Sequence, residues 1–282
     1  MDLSPPVVLV HGFWHGSWCW SRVTEHLAGL GVTAVAVDMD GHGLNSRSPR
    51  ARWRRPFDPD AFAAEPSPVA DVTASSAAAM LVDQLRRIGG GRPCVVVAHS
   101  MGGVVATLAT ELAPELVSEL VYLSAYAPVS GKPTTDYFTL PEAGHTVPDL
   151  VVGDFMAVGA FRMDTGDPER QDAIREAFYH DVDDVTAAAA ISLLSPDGPI
   201  GVPAETVTVT AERYGAIPHT YLLCLQDKAF PLALQQLFVA EIDAVSSRPT
   251  TVGELETSHS PFLSQPAELA QAIASVHQLA AR

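Results

Sequence analysis

Cysteine is scarce in this 282-residue chain. The three present (Cys19, Cys94, Cys224) are too few for a disulfide framework and match no zinc-binding spacing. Lysine is scarcer still, with Lys132 and Lys228 alone. Lys and Arg together number 17 against 33 Asp and Glu, a net charge of -16. Such an acidic chain is ill suited to nucleic acid, whose binding neutralises phosphates, and to anionic membrane surfaces. No apolar run approaches the roughly 18 residues of a membrane span. The start, Met1-Asp2-Leu3-Ser4, lacks the basic region of a secretory signal, so a cytoplasmic location is expected. Neither a Gly-rich phosphate loop nor an HExxH metal motif occurs, and no metal or cofactor is expected.

What is abundant is apolar sequence, 47% of residues against 18% charged, enough to build a full core. Short apolar runs at Val7–Val10, 33–37, Cys94–Ala98, Leu120–Leu123, Tyr221–Leu225 and 250–255 read as strands. Between them, helical spacing marks Ser17–Leu30, Thr73–Ile88, 102–112, Leu232–Ile242 and 266–279. Continuous apolar strands alternating with helices predict a mostly parallel six-stranded sheet covered on both faces.

Two stretches interrupt the rhythm. Residues 46–71 hold five Pro and five Arg, at Arg47, Arg50, Arg52, Arg54 and Arg55. Residues 131–218 show helical patterns at 169–180 and 182–194 but no strong strand signal. They predict a largely helical cap inserted after the fourth strand, dividing the core into residues 1–130 and 219–282.

The sharpest local signal is Val95-Val96-Val97-Ala98-His99-Ser100-Met101-Gly102-Gly103. A strand enters a small residue, then Ser flanked for a tight turn, then a helix. That context distinguishes a nucleophile elbow from an ordinary Ser-Gly turn, with Ala98 in place of the usual first Gly. A Ser hydroxyl needs a base, and the base needs an orienting acid. His259 follows the last expected strand in a polar loop. Asp227 ends the fifth, at the same sheet edge as Ser100. The Met101 N–H, next after the nucleophile, is a candidate oxyanion donor.

These segments, with Leu9-Val10-His11-Gly12-Phe13-Trp14-His15-Gly16-Ser17-Trp18 and Asp38-Met39-Asp40-Gly41-His42-Gly43, resemble the α/β-hydrolase superfamily, and within it the branch of plant methyl esterases and hydroxynitrile lyases. The resemblance implies an α/β-hydrolase fold, a triad of Ser100, Asp227 and His259, and Phe13 N–H as second oxyanion donor. His11 is expected to be a structural hydrogen-bonding residue. Gly12, Trp14 and His99 are expected around the substrate, with packing an equal alternative for Trp14. Hydroxynitrile lyases of this branch carry Thr and Lys where this chain has Gly12 and Ser260, so hydrolysis is favoured over cyanohydrin cleavage. The implied activity is a serine carboxylic-ester hydrolase. A lactonase, thioesterase or C–C bond-cleaving enzyme on the same triad stays open, and a ligand-binding pseudoenzyme is disfavoured by the complete triad. Phe138, Phe155, Met156, Phe161, Met163 and Phe178 suit either an apolar pocket or cap core. The expected partner is a small-molecule ester. A homodimer is left open, as is an acidic carrier protein drawn to the Arg-rich segment.

Overall fold

A computed structural model describes residues 4–144 and 147–280. Among the described residues eight strands occur in chain order: β1 Val7–Val10, β2 Ala34–Val37, β3 Cys94–His99, β4 Val117–Leu123, β5 Ala160–Arg162, β6 Asp197–Pro199, β7 His219–Cys224 and β8 Thr251–Leu255. Six form one sheet in the order β2-β1-β3-β4-β7-β8, and every neighbouring pair is parallel. The inner strands β1, β3 and β7 are buried throughout, whereas the edge strand β8 is largely exposed. That contrast explains why β8 carries the weakest apolar signature.

Helix Ala74–Gly89 begins on Thr73, which forms a reciprocal capping box with Ser76, and ends on Gly90 in the left-handed region. It packs on Gly102–Leu112, while Ser21–Gly29 packs on Pro266–Ala280. The chain runs from β1 outward to β2, then returns past β1 to β3. Right-handed crossovers in opposite directions put their helices on opposite faces and open a crevice between the carboxyl ends of β1 and β3. The Phe13 turn leaves β1 and the Ser100 turn leaves β3, so both fall at that crevice.

The chain between β4 and β7, expected to be largely helical, also contains two short strands. Helices Pro168–Phe178 and Asp184–Leu193 are present, but β5 and β6 form a two-stranded antiparallel ladder pairing Phe161 with Gly198. Three-residue strands with Gly and Pro show no alternation, so their signal lies in tertiary contacts. The chief contact is the buried pair Arg162–Asp197, with Nε–Oδ1 2.7 Å and Nη2–Oδ2 2.8 Å. Arg162 also donates to the carbonyls of Phe62 and Glu65, tying the Pro- and Arg-rich segment to this ladder.

Candidate active site

β3 delivers Ser100 in the left-handed region, at φ +52°. A β-substituted residue held there is strained, and the strain persists only where the surroundings enforce it. Here the Ser100 carbonyl accepts from Gly103 N–H (3.0 Å) and Tyr126 N–H (3.1 Å). A Cβ on Gly102 would collide with the His11 carbonyl, and one on Gly103 with that of Tyr126. The small residues after the serine are therefore a packing requirement. Ala98 before it is fully buried.

Asp227 ends the turn after β7, and its Oδ2 lies 2.6 Å from His259 Nδ1. Ser124 donates to the same oxygen at 2.5 Å, while Oδ1 accepts the N–H groups of Ala229 (2.9 Å) and Phe230 (2.7 Å). Three donors besides the imidazole thus fix the carboxylate. His259 must carry its proton on Nδ1 to meet it, which leaves Nε2 free to act as a base. His259 and Ser100 line one cavity of about 320 Å³ with Phe13, Trp14, Met101, Tyr126 and aromatic rings from the insertion.

Phe13 and Met101 also face this cavity, and among the described residues neither backbone N–H finds a protein acceptor. The Gly12 carbonyl shares a planar peptide with the Phe13 N–H, so fixing one direction fixes the other. His11 Nδ1 sits 2.7 Å from that carbonyl, and His11 Nε2 accepts from Met39 N–H at 3.1 Å. Burial lowers the His11 pKa to about 3, so the ring is neutral and its 4.0 Å approach to Asp38 is no ion pair. His11 is thus occupied at both nitrogens in holding the loop.

The lining does not include Gly12 or His99, which were expected around the substrate. Gly12 abuts Ser100, where a Cβ would meet the serine side chain. His99 is fully buried, its ring 4.5 Å from that of His259 and its Nε2 donating to the His259 carbonyl at 2.9 Å. It shelves the histidine rather than reaching the cavity. Trp14 does line the cavity, as do Phe138, Phe155, Phe161 and Phe178. Met163 is buried outside it, and Met156 is exposed. Tyr126, Phe230 and Ser124 were not anticipated. All three follow the carboxyl ends of parallel strands, and that position is the signal that could have found them. None of the five Arg of the Arg-rich segment lines this cavity; Arg52 and Arg55 border a separate groove with Trp53, Asp164 and Asp167.

A parallel sheet with a serine in a strained turn after β3, and with a histidine and an aspartate brought together after β8 and β7, defines a protein of the α/β-hydrolase class. The chain belongs to the Alpha/beta hydrolase family, whose family model matches residues 7–272. Methylesterase 9 of Arabidopsis thaliana is 26% identical over 271 residues, covering 93% of this chain and 94% of that protein. Putative methylesterase 14, chloroplastic, of Arabidopsis thaliana is 26% identical over 275 residues, covering 96% and 72%. Among solved structures, a pyrethroid hydrolase from Sphingobium faniae JZ-2 superposes with a TM-score of 0.74 at 22% identity, covering 97% of each chain.

Proposed function

We propose that this protein hydrolyses neutral carboxylic esters of small or medium apolar molecules through an acyl-enzyme. The observation that carries the reading is the convergence of Ser100, His259 and two unpartnered N–H groups on one apolar cavity. Ser100 Oγ attacks the ester carbonyl as His259 Nε2 takes its proton. The carbonyl oxygen, now negative, accepts from Phe13 and Met101 N–H. The bond to the alkoxy oxygen breaks, and His259 returns the proton to the leaving alcohol. Water then repeats the cycle on the acyl-serine and releases the acid. Asp227 holds the imidazole tautomer and stays ionised. The insertion at 131–218 serves as a cap over the acyl group.

Among the described residues, no Lys, Arg, Asp or Glu lines the cavity. A carboxylate product would sit there without a cation and at a high desolvation cost, which favours its departure. The position after His259 is the fully buried Ser260, which supplies no ammonium to balance a cyanide leaving group. The similarity to methylesterases and to a pyrethroid hydrolase supports ester chemistry. The test is turnover of a panel of neutral methyl esters, lactones, acyl thioesters and mandelonitrile, by wild type and by Ser100→Ala. Methyl esters should be hydrolysed, mandelonitrile should release no cyanide above background, and Ser100→Ala should lose on the order of 10⁴–10⁶ in kcat. Preference for lactones or thioesters, or turnover by folded Ser100→Ala, would overturn the reading.

A further inference from the structure

The turn that presents Phe13 is held from an unexpected direction. Trp14, next in sequence, is left-handed at φ +62°. An aromatic L-residue does not hold that conformation unless its surroundings impose it. Three contacts hold it, two made directly by residues of the insertion and one relayed from the insertion through His15. Ser195 N–H donates to the Trp14 carbonyl at 2.7 Å, and Trp14 Nε1 donates to the Phe161 carbonyl at 2.9 Å. The third runs through His15. Its Nδ1 lies 2.9 Å from the Phe13 carbonyl, and its Nε2 lies 2.7 Å from the Tyr179 hydroxyl.

The proton positions follow from donor chemistry. A carbonyl can only accept, so His15 carries a proton on Nδ1. Burial lowers the His15 pKa to about 3, so the ring is neutral and Nε2 has a lone pair. Tyr179 O–H must then donate to Nε2. The result is a directed chain, Tyr179 O–H to His15 Nε2 and His15 Nδ1–H to Phe13 C=O. Tyr179 is fully buried at the end of helix Pro168–Phe178.

We propose that Tyr179, acting through His15, is a positioning residue that lets the insertion hold the Phe13 turn in its oxyanion-binding conformation. With His11 on the carbonyl before Phe13 and His15 on the carbonyl after it, both peptide units flanking the donor residue are pinned. The Phe13 carbonyl sets the His15 tautomer, and the Tyr179 hydroxyl, donating to Nε2, holds the ring in place to make the second pin. Neither side chain touches substrate, since neither lines the cavity. The insertion thereby supports transition-state stabilisation as well as covering the acyl group. This inference rests on the ester-hydrolase reading and on Phe13 as a donor.

Tyr179→Phe removes one hydroxyl and keeps the ring. It should lower kcat about fivefold to tenfold, the loss expected of a single hydrogen bond, while KM stays within about twofold. Affinity for a trifluoromethyl ketone, which forms a tetrahedral oxyanion on Ser100, should fall by the same factor. His15→Leu should lose at least as much, and His15→Asn, whose amide N–H can replace Nδ1–H, should recover most of it. In the His15→Leu background, adding Tyr179→Phe should change kcat less than about twofold, because the two act in series. Should His15→Leu fail to fold, Tyr179→Phe alone decides. Unchanged kcat and ketone affinity in Tyr179→Phe would overturn the inference, as would multiplicative losses in the double variant. Ser100→Ala in the same assay separates the two levels: if it is inactive while Tyr179→Phe is silent, only the positioning role fails, and if it is active, the hydrolase reading fails as well.

Discussion

Gly12 and Ser100 approach so closely that a Cβ placed on Gly12 would lie 2.7 Å from Ser100 Cβ and 3.2 Å from its Oγ. The absence of a side chain at position 12 lets the β1 and β3 turns meet across the switch point. Gly12→Ala should displace the serine or the Phe13 turn. Overpacking of this kind costs about 1–3 kcal/mol, and a displaced nucleophile should lower kcat on the order of 10- to 100-fold. Gly12→Thr should be worse on both counts. Thermal melting and ester kinetics on the two variants check this, and near-native kcat in Gly12→Ala would show that the turns can separate freely.

Asp227→Asn should lower kcat by up to ~10⁴, because an amide cannot hold the Nδ1-protonated imidazole as the carboxylate does. The Ser124 hydroxyl shares Oδ2 with His259, so Ser124→Ala should have a much smaller effect, several-fold at most. Steady-state kinetics of both variants test the ranking. A silent Asp227→Asn would require another acid.

Stability should fall with acid before the lowered carboxylates titrate. Burial lowers the pKa of His11 and His15 to about 3 and of His42 and His219 to about 4. Burial, with the nearby His259, also holds His99 well below the ordinary value. These rings are neutral when folded and regain an ordinary value near 6.5 when unfolded. Below that pH the unfolded chain binds more protons than the folded one. The stability is therefore complete above about pH 6.5 and is lost as pH drops toward the folded values. Each ring contributes up to about 1.4 kcal/mol per pH unit. The urea midpoint should be level from pH 8 to 7 and fall steadily from 6.5 to about 4.5, above the range of lowered carboxylates such as Asp38. A midpoint constant from pH 7 to 5 contradicts this.

The parallel strands and the serine turn were legible because each is written locally, in apolar runs bounded by Gly and in small residues around Ser100. The meeting of Asp227 with His259 needed chain order as well, since the sequence separates them by a whole helix and strand. The β5–β6 ladder and the tie from Tyr179 to His15 were not legible. Their determinants are pairings over 35 and 164 residues, which leave no periodic trace. The resemblance puts His99 near the substrate, whereas the direction of its ring depends on the elbow's backbone, which turns it against His259.

The Arg162–Asp197 pair should behave as a buried charge pair. Asp197 also accepts from Ser67 Oγ at 2.7 Å, so few of its lone pairs are unused. Arg162→Met or Asp197→Asn strands the remaining charged or polar partner and should cost about 3–5 kcal/mol. The double variant Arg162→Met/Asp197→Asn should cost less than the sum of the two single changes. Denaturant unfolding measures it, and strict additivity would rule out the coupling.

The Arg-rich segment invites an electrostatic role, since its five guanidinium groups stand against a chain of net charge -16. Its contacts point instead to structure. Arg47 pairs with Asp71 at 2.9 Å, and Arg52 donates to the Leu194 carbonyl and stacks 5.1 Å over Trp53. Arg55 donates to the Arg54 carbonyl at 2.7 Å. A charge outside the cavity acts on substrate only through screened long-range fields, with a Debye length of about 8 Å at physiological salt. Replacing Arg50, Arg52, Arg54 and Arg55 by Gln should therefore leave KM for a neutral ester and for an anionic ester within about twofold of wild type at 150 mM salt. A rise in KM for the anionic ester alone, shrinking from 50 to 500 mM salt, would instead establish steering and revive an anionic substrate or an acidic carrier as partner.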